Sequence, residues 1–174
     1  MVAIPGTKSL LSAMFAFLLV ACGPDGESAG GSAGAMAMNN DVTHLDVYMT
    51  RTCGCCGLWV DHAEENGFHT VITYMDQDEL TMEKMDRGVS LRLQSCHTAV
   101  SSDGYVFEGH IPARVIHAFL DDVPEGAFGL AVPGMPIGSP GMEMGDRFEP
   151  YDVLLLQEDG STGVYTHIAA LSEQ

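Results

Sequence analysis

Cys53-Gly54-Cys55-Cys56 places three thiols within four residues, and Ser95-Cys96-His97-Thr98 adds a fourth further along the chain. Cys53 and Cys56 alone have the C-x-x-C spacing of a redox-active dithiol, whose thiolate a helix N-terminus would stabilise. Cys55, however, is a competing thiol inside that motif. Ser95-Cys96 stands before the third expected strand, where thioredoxin-like enzymes carry a proline packed on the dithiol. Used together, the four thiols suit a metal, and soft thiolates select copper(I), zinc or iron–sulfur clusters. Structural zinc takes spaced Cys pairs that give one ion four well-directed donors, and adjacent Cys55 and Cys56 make that geometry awkward. An exported chain is a poor recipient of a cytosolic iron–sulfur cluster. Copper(I) accepts low coordination numbers and bridging thiolates, so Cys53, Cys55, Cys56 and Cys96 are the candidate ligands for one ion or several.

Other side chains can join or cover such a site. Met135, Met142 and Met144 lie on a Gly/Pro-rich loop, residues 132–145, that has no helical periodicity. Their thioethers are soft donors suited to an entry site or lid, and equally suited to filling gaps beneath the loop. His97 and His110 are borderline donors, or groups that orient a thiolate. His44, His62, His69, His117 and His167 read as surface or strand residues. Trp59 reads as the anchor of the first helix, with shielding of the site as the alternative role. Glu108 has no carboxylate partner, and the sequence has no Ser/His/Asp arrangement, phosphate-binding glycine motif or internal repeat. No catalytic residue is assigned, and a binding protein is favoured over an enzyme.

These side chains need a scaffold, and the pattern supplies one. Residues 45–49 alternate as a strand that runs into the Cys loop, and residues 59–66 read as a helix stopped by Gly67. A β-branched strand over 69–75 and a helix over 78–87, closed by Gly88, follow. Residues 96–100 and 105–108 flank the turn Ser101-Ser102-Asp103-Gly104 as a hairpin. A third helix covers 112–121, with Pro112 in its first turn. Strand, helix, strand, helix, hairpin, helix is an α/β, thioredoxin-like order. An extension follows: the Gly/Pro/Met loop, a strand over 151–157, the turn Glu158-Asp159-Gly160 and a strand near 164–168, forming a hairpin against the sheet or its edge. In this topology the third strand starts beside the end of the first. The turn pairs residues whose numbers sum to about 205, which puts Cys96 beside Gly109 and close to His110.

Residues 1–21, with Lys8 and an apolar run over 10–20, read as a signal peptide too short to span a membrane. Leu19-Val20-Ala21-Cys22 resembles a bacterial lipobox, in which Cys22 becomes a lipid-bearing first residue. No Asp follows Cys22, which by that resemblance points to the outer membrane. Residues 22–42, rich in Gly, Ser and Ala, form a flexible tether with a reach of about 25 Å; Met36 and Met38 within it are weak candidates for catching a soft metal. The folded domain is expected over 43–170. The chain has 24 acidic against 7 basic residues, dispersed as a solvated surface, which argues against nucleic acid as a partner.

The ordered blocks Thr52-Cys53-Gly54-Cys55-Cys56-Gly57-x-Trp59, Ser95-Cys96-His97-Thr98-Ala99, Glu108-Gly109-His110-Ile111-Pro112, Val132-Pro133-Gly134-Met135-Pro136-x-Gly138-Ser139-Pro140-Gly141-Met142-Glu143 and Pro150-Tyr151-Asp152-Val153 closely resemble the CopG-like family of periplasmic metal-binding proteins of copper-resistance systems. The resemblance implies a thioredoxin-like fold and copper bound through Cys53, Cys55, Cys56 and Cys96, as a multinuclear Cu(I)–thiolate cluster with redox activity. Copper ions, the membrane through a lipid anchor and copper-transfer proteins are the expected partners. Leu58 stands where relatives often carry Lys, and Ser90 where Pro is expected; neither is a candidate ligand. Two alternatives stay open: a periplasmic thiol–disulfide oxidoreductase using Cys53 and Cys56, and an exported domain with two structural disulfides.

Overall fold

A computed structural model of the chain describes residues 43–174; the expected signal peptide, Cys22 and the tether lie outside the described residues. β1 (His44–Met49) buries Leu45, Val47 and Met49 and exposes His44 and Asp46, the period of two that a half-buried strand requires. α1 (Gly54–Glu65) begins at the Cys loop itself, with Cys53 at its N-cap, earlier than the expected start near Trp59. Gly54 and Gly57 hide the helix from a propensity reading. Its buried residues Cys56, Trp59, Val60 and Ala63 nevertheless fall at i, i+3, i+4 and i+7, one face of a helix. Packing that face overrides the weak local preference.

β2 (His69–Tyr74) returns parallel to β1. α2 (Gln77–Asp86) opens on a capping box: Asp76 accepts from Glu79 N at 2.9 Å, and the Glu79 carboxylate accepts from Asp76 N at 3.2 Å. A 3-10 turn, Leu91–Leu93, leads to β3 (His97–Ser101) and β4 (Val106–Glu108), and Pro112 introduces α3 (Ala113–Asp121). β5 (Ala127–Ala131), β6 (Tyr151–Gln157) and β7 (Thr162–Ile168) complete one sheet of order β2-β1-β3-β4-β5-β6-β7. The C-terminal hairpin β6–β7 is thus joined to the sheet through β5, a strand the sequence did not reveal. β5 runs parallel to β4, and a Cβ on Gly129 would lie 1.9 Å from the Val106 carbonyl oxygen. Only glycine allows that approach.

The sheet separates two cores. Phe107 belongs to the larger, with Leu45, Val47, Trp59, Phe119, Leu130 and Val153. Its neighbour Val106 points the other way, into a smaller cluster with Val89, Leu93, Ala131 and Leu156. Glu108, two residues on from Val106, faces this second side as well.

Candidate metal centre

Three elements converge on the thiols. The loop after β1 and the first turn of α1 carry Cys53, Cys55 and Cys56, while Cys96 directly precedes β3. Met49, at the end of β1, is the register partner of His97, so the antiparallel pairing of β1 and β3 brings Cys96 to the Cys loop. One ligand atom from each of the four cysteines lies within 4.8 Å of all the others. Cys53 and Cys56 are joined by a disulfide, and Cys55 and Cys96 are free. Cys55 Sγ stands 3.6 Å from Cys53 Sγ and 3.9 Å from Cys96 Sγ.

A second group overlaps the first at Cys96. Its sulfur is 3.0 Å from His110 Nε2 and 3.5 Å from His97 Nδ1, as the hairpin register implies: Thr98 pairs with Glu108, which sets Cys96 opposite His110. Burial pushes the Cys96 thiol up to about 12; neighbouring Cys55 adds to this, and the Ser95 hydroxyl and Lys84 oppose it. Cys96 is therefore a protonated thiol at pH 7, and a metal that binds it must displace that proton. Burial also lowers both imidazoles. His97 falls well below its ordinary value, helped by His110 and Lys84, and His110 falls less because its bond to Pro140 and the charge of Glu143 oppose burial. Both are neutral at pH 7, the form that ligates metal. His97 Nε2 is buried with no hydrogen-bond partner.

The Gly/Pro/Met loop lies against this cluster. A Cβ on Gly141 would stand 2.6 Å from the Cys55 carbonyl oxygen and 2.8 Å from Trp59 N, so the loop backbone rests on the first turn of α1. Met142 follows directly and is half-buried; Met135 and Met144 are 50% and 51% exposed. Trp59 is fully buried as an anchor of α1: its Nε1–H donates to Ile111 O at 2.9 Å, and its ring lies 4.4 Å from that of His97. Among the residues read as surface histidines, His62 is half-buried and its Nε2 accepts the N–H of Ala113 at 3.0 Å, serving α3's N-terminus.

Two residues that the sequence did not reveal as partners stand behind the site. Lys84 and Glu108 form an ion pair at 2.7 Å, 1% and 0% exposed. The signal was present: Lys84 lies four residues after buried Leu80 on α2, on the core-facing side.

The fold and site define a class, a thioredoxin-like α/β domain with a four-cysteine cluster and two neutral imidazoles in place of a simple dithiol. Two solved structures, named copper resistance protein CopG, form 2 and form 1, align with a TM-score of 0.66 and 40% identity. They cover 72% of this chain, and 98% and 96% of their own. The chain belongs to the CopG family. A family model described as protein of unknown function, DUF411, matches residues 93–142, and no curated protein matches the sequence.

Proposed function

We propose that this domain binds copper, holding Cu(I) in a thiolate cluster built from Cys53, Cys55, Cys56 and Cys96, and serves copper resistance at the bacterial cell envelope. The carrying observation is that one ligand atom from each of the four residues falls within 4.8 Å of the rest. Metal–thiolate bonds of about 2.3 Å at tetrahedral to trigonal angles separate sulfurs by roughly 3.8 to 4.0 Å. The Cys55–Cys96 spacing of 3.9 Å suits that separation and the Cys53–Cys55 spacing of 3.6 Å is close to it. His110 and His97 extend the donor set at Cys96, which supports more than one copper ion. The 40% identity to the CopG structures supports copper as the metal. Loading all four thiols requires reduction of the Cys53–Cys56 disulfide by two electrons and two protons, so copper capture is coupled to the redox state of the envelope. Export, lipidation at Cys22 and tethering to the outer membrane belong to this reading, with Met135, Met142 and Met144 as an entry surface from which copper passes to and from partner proteins.

Native mass spectrometry of the reduced protein titrated anaerobically with Cu(I) should show a tightly loaded form. A Cys96→Ser variant that loads to the same stoichiometry and affinity would sink the four-thiol site.

The Cys53–Cys56 disulfide at the start of α1 favours a second reading, a thiol–disulfide oxidoreductase acting on protein thiols. If Cys55→Ser keeps full copper tolerance while Cys53→Ser or Cys56→Ser abolishes it together with disulfide exchange, the second reading replaces the first.

A further inference from the structure

Ser95 immediately precedes Cys96, and both of its backbone polar groups are held by one buried ion pair. Lys84 Nζ donates to Ser95 O at 2.7 Å, and the Ser95 N–H donates to Glu108 Oε1 at 2.5 Å. The same Nζ and the same Oε1 are 2.7 Å apart. The Ser95 hydroxyl, in turn, donates to the Gly134 carbonyl at the start of the Gly/Pro/Met loop. A Cβ on Gly109 would lie 2.7 Å from Ser95 Cβ and 2.5 Å from the Val132 carbonyl oxygen, so the Ser95 turn packs directly against the backbone that follows β4. Ser95 is thus fixed from α2, from β4 and from the loop, and Cys96 is the next residue.

A buried ion pair is a weak means of stabilising a fold. Desolvating two charges costs several kcal/mol per ion, and well-packed apolar replacements are often neutral or stabilising. The pair here shows that cost. Burial is the largest influence on Glu108 and raises its carboxyl above the ordinary value, against the opposing pull of Lys84 and the bond from the Ser95 N–H. Its second oxygen, Oε2, has no partner within hydrogen-bond geometry, nor does the hydroxyl of the adjacent Thr98. A pair retained for packing alone would not need to spend both its donor and its acceptor on a single backbone residue. In a thioredoxin-like enzyme the segment before this strand is stiffened by proline; here Ser95 has free backbone torsions and two polar groups that a dry pocket must satisfy.

We propose that Lys84 and Glu108 are positioning residues for the thiol cluster: as one clamp on the Ser95 backbone, they set Cys96 Sγ against Cys55 Sγ and His110 Nε2. Their functional consequence rests on the copper reading above, whereas their geometric consequence does not. Neither side chain touches the metal. They act through Cys96, by removing the freedom of the turn that carries it, so the donors meet a metal already in place.

The test separates positioning from stability. In Lys84→Met/Glu108→Leu, an apolar pair replaces the ions and leaves Ser95 unheld. Urea denaturation reports the fold. Cu(I) affinity is read anaerobically by competition with a chromophoric chelator. A copper-free reading uses the reduced Cys53→Ser/Cys56→Ser background, in which Cys55 and Cys96 are the remaining thiols of the cluster. Phenylarsine oxide bridges two apposed thiols, forming two As–S bonds and releasing one water, and competition with a small dithiol gives its affinity. The clamp requires that the apolar pair keep a cooperative unfolding transition while both Cu(I) and arsenical affinities fall at least fivefold. Affinities that fall by less overturn it and leave the pair a packing element. If the apolar pair does not fold, Lys84→Met/Glu108→Gln is read by the same criterion, since the glutamine side chain keeps an acceptor for Ser95 N while the hold on Ser95 O is lost. Should the unaltered protein not bind Cu(I), the copper reading fails, and the arsenical measurement still decides whether the clamp sets the two sulfurs.

Discussion

His110 holds its proton on Nδ1 and turns the lone pair of Nε2 to the Cys96 sulfur. Nδ1 is 2.8 Å from the Pro140 carbonyl oxygen, and Nε2 is 3.0 Å from Cys96 Sγ. A carbonyl only accepts, so Nδ1 must donate, which assigns the tautomer. Fixing the ring through its outer nitrogen is how metal-binding imidazoles are generally aimed. The bond also explains why Pro140 is buried in an otherwise irregular loop: the loop supplies the orienting oxygen.

His110→Ala should therefore weaken Cu(I) binding by about 10- to 100-fold. His110→Gln, which keeps a polar group but loses the aimed nitrogen, should recover little of it. Chelator competition at pH 7 measures both. Binding within threefold of the unaltered protein in His110→Ala would remove the imidazole from the copper site.

Gly141 is where the Met loop touches the Cys loop. It has φ +82°, and an added Cβ would meet the Cys55 carbonyl and Trp59 N, both backbone atoms that cannot swing aside. Gly134 in the same loop has φ +72° but open space around it. Alanine at Gly134 should cost about 1 kcal/mol, from the left-handed backbone alone. Alanine at Gly141 should cost roughly 2 kcal/mol more from overpacking, and should also lower Cu(I) affinity because the strain falls on Cys55. Paired urea melts and titrations check this; equal losses at the two glycines would show that the loop is not pressed onto the thiols.

The chain has one tryptophan, and it is fully buried beside the site. Its ring lies 4.4 Å from that of His97, so its emission should fall in proportion to copper loaded and level off at the stoichiometry found by mass spectrometry. Trp59→Phe should abolish the signal and cost about 1 kcal/mol or more, because the Ile111 carbonyl loses its donor. Emission unchanged through full loading would place the copper away from the Cys loop.

Much of this site was legible in the sequence because it depends on pairing rules. Alternation over residues 45–49 marked β1, and turn arithmetic about Ser101-Ser102-Asp103-Gly104 placed Cys96 by His110 to within one residue of the observed register. What escaped depends on tertiary contact. α1 opens with glycines and cysteines that carry no helical signature, and β5 is Ala-Phe-Gly-Leu-Ala, whose central Gly129 weakens strand propensity but is demanded by the Val106 backbone. Lys84 drew no reading because a single lysine on a short polar helix by itself carries no sign of burial, and Glu108 looked unpartnered because its partner is a cation on α2 rather than a second carboxylate.

Acid should loosen the fold through His62. Burial is the main cause holding this imidazole below its ordinary value of 6.5, and Glu143 and Glu65 only partly oppose it. The geometry agrees, since Nε2 must stay unprotonated to accept the Ala113 N–H. A depressed folded value means that the unfolded chain binds the proton first. His62 therefore contributes stability that is present above pH 6.5 and lost as pH falls through the folded value. His97 and His110 act in the same direction. Glu108 acts in the opposite one, its raised carboxyl adding stability as pH falls through its folded value. The contribution of His62 is isolated by difference: His62→Gln keeps an oxygen to accept from Ala113 and removes the titration. Between pH 7 and 5 the stability of the unaltered protein should fall more steeply than that of His62→Gln. The extra slope should be less than the about 1.4 kcal/mol per pH unit of one full proton, because a half-buried ring is partly screened by solvent. Parallel urea-derived stabilities across that range would show that His62 titrates alike in both states and that its bond to α3 does not depend on its charge.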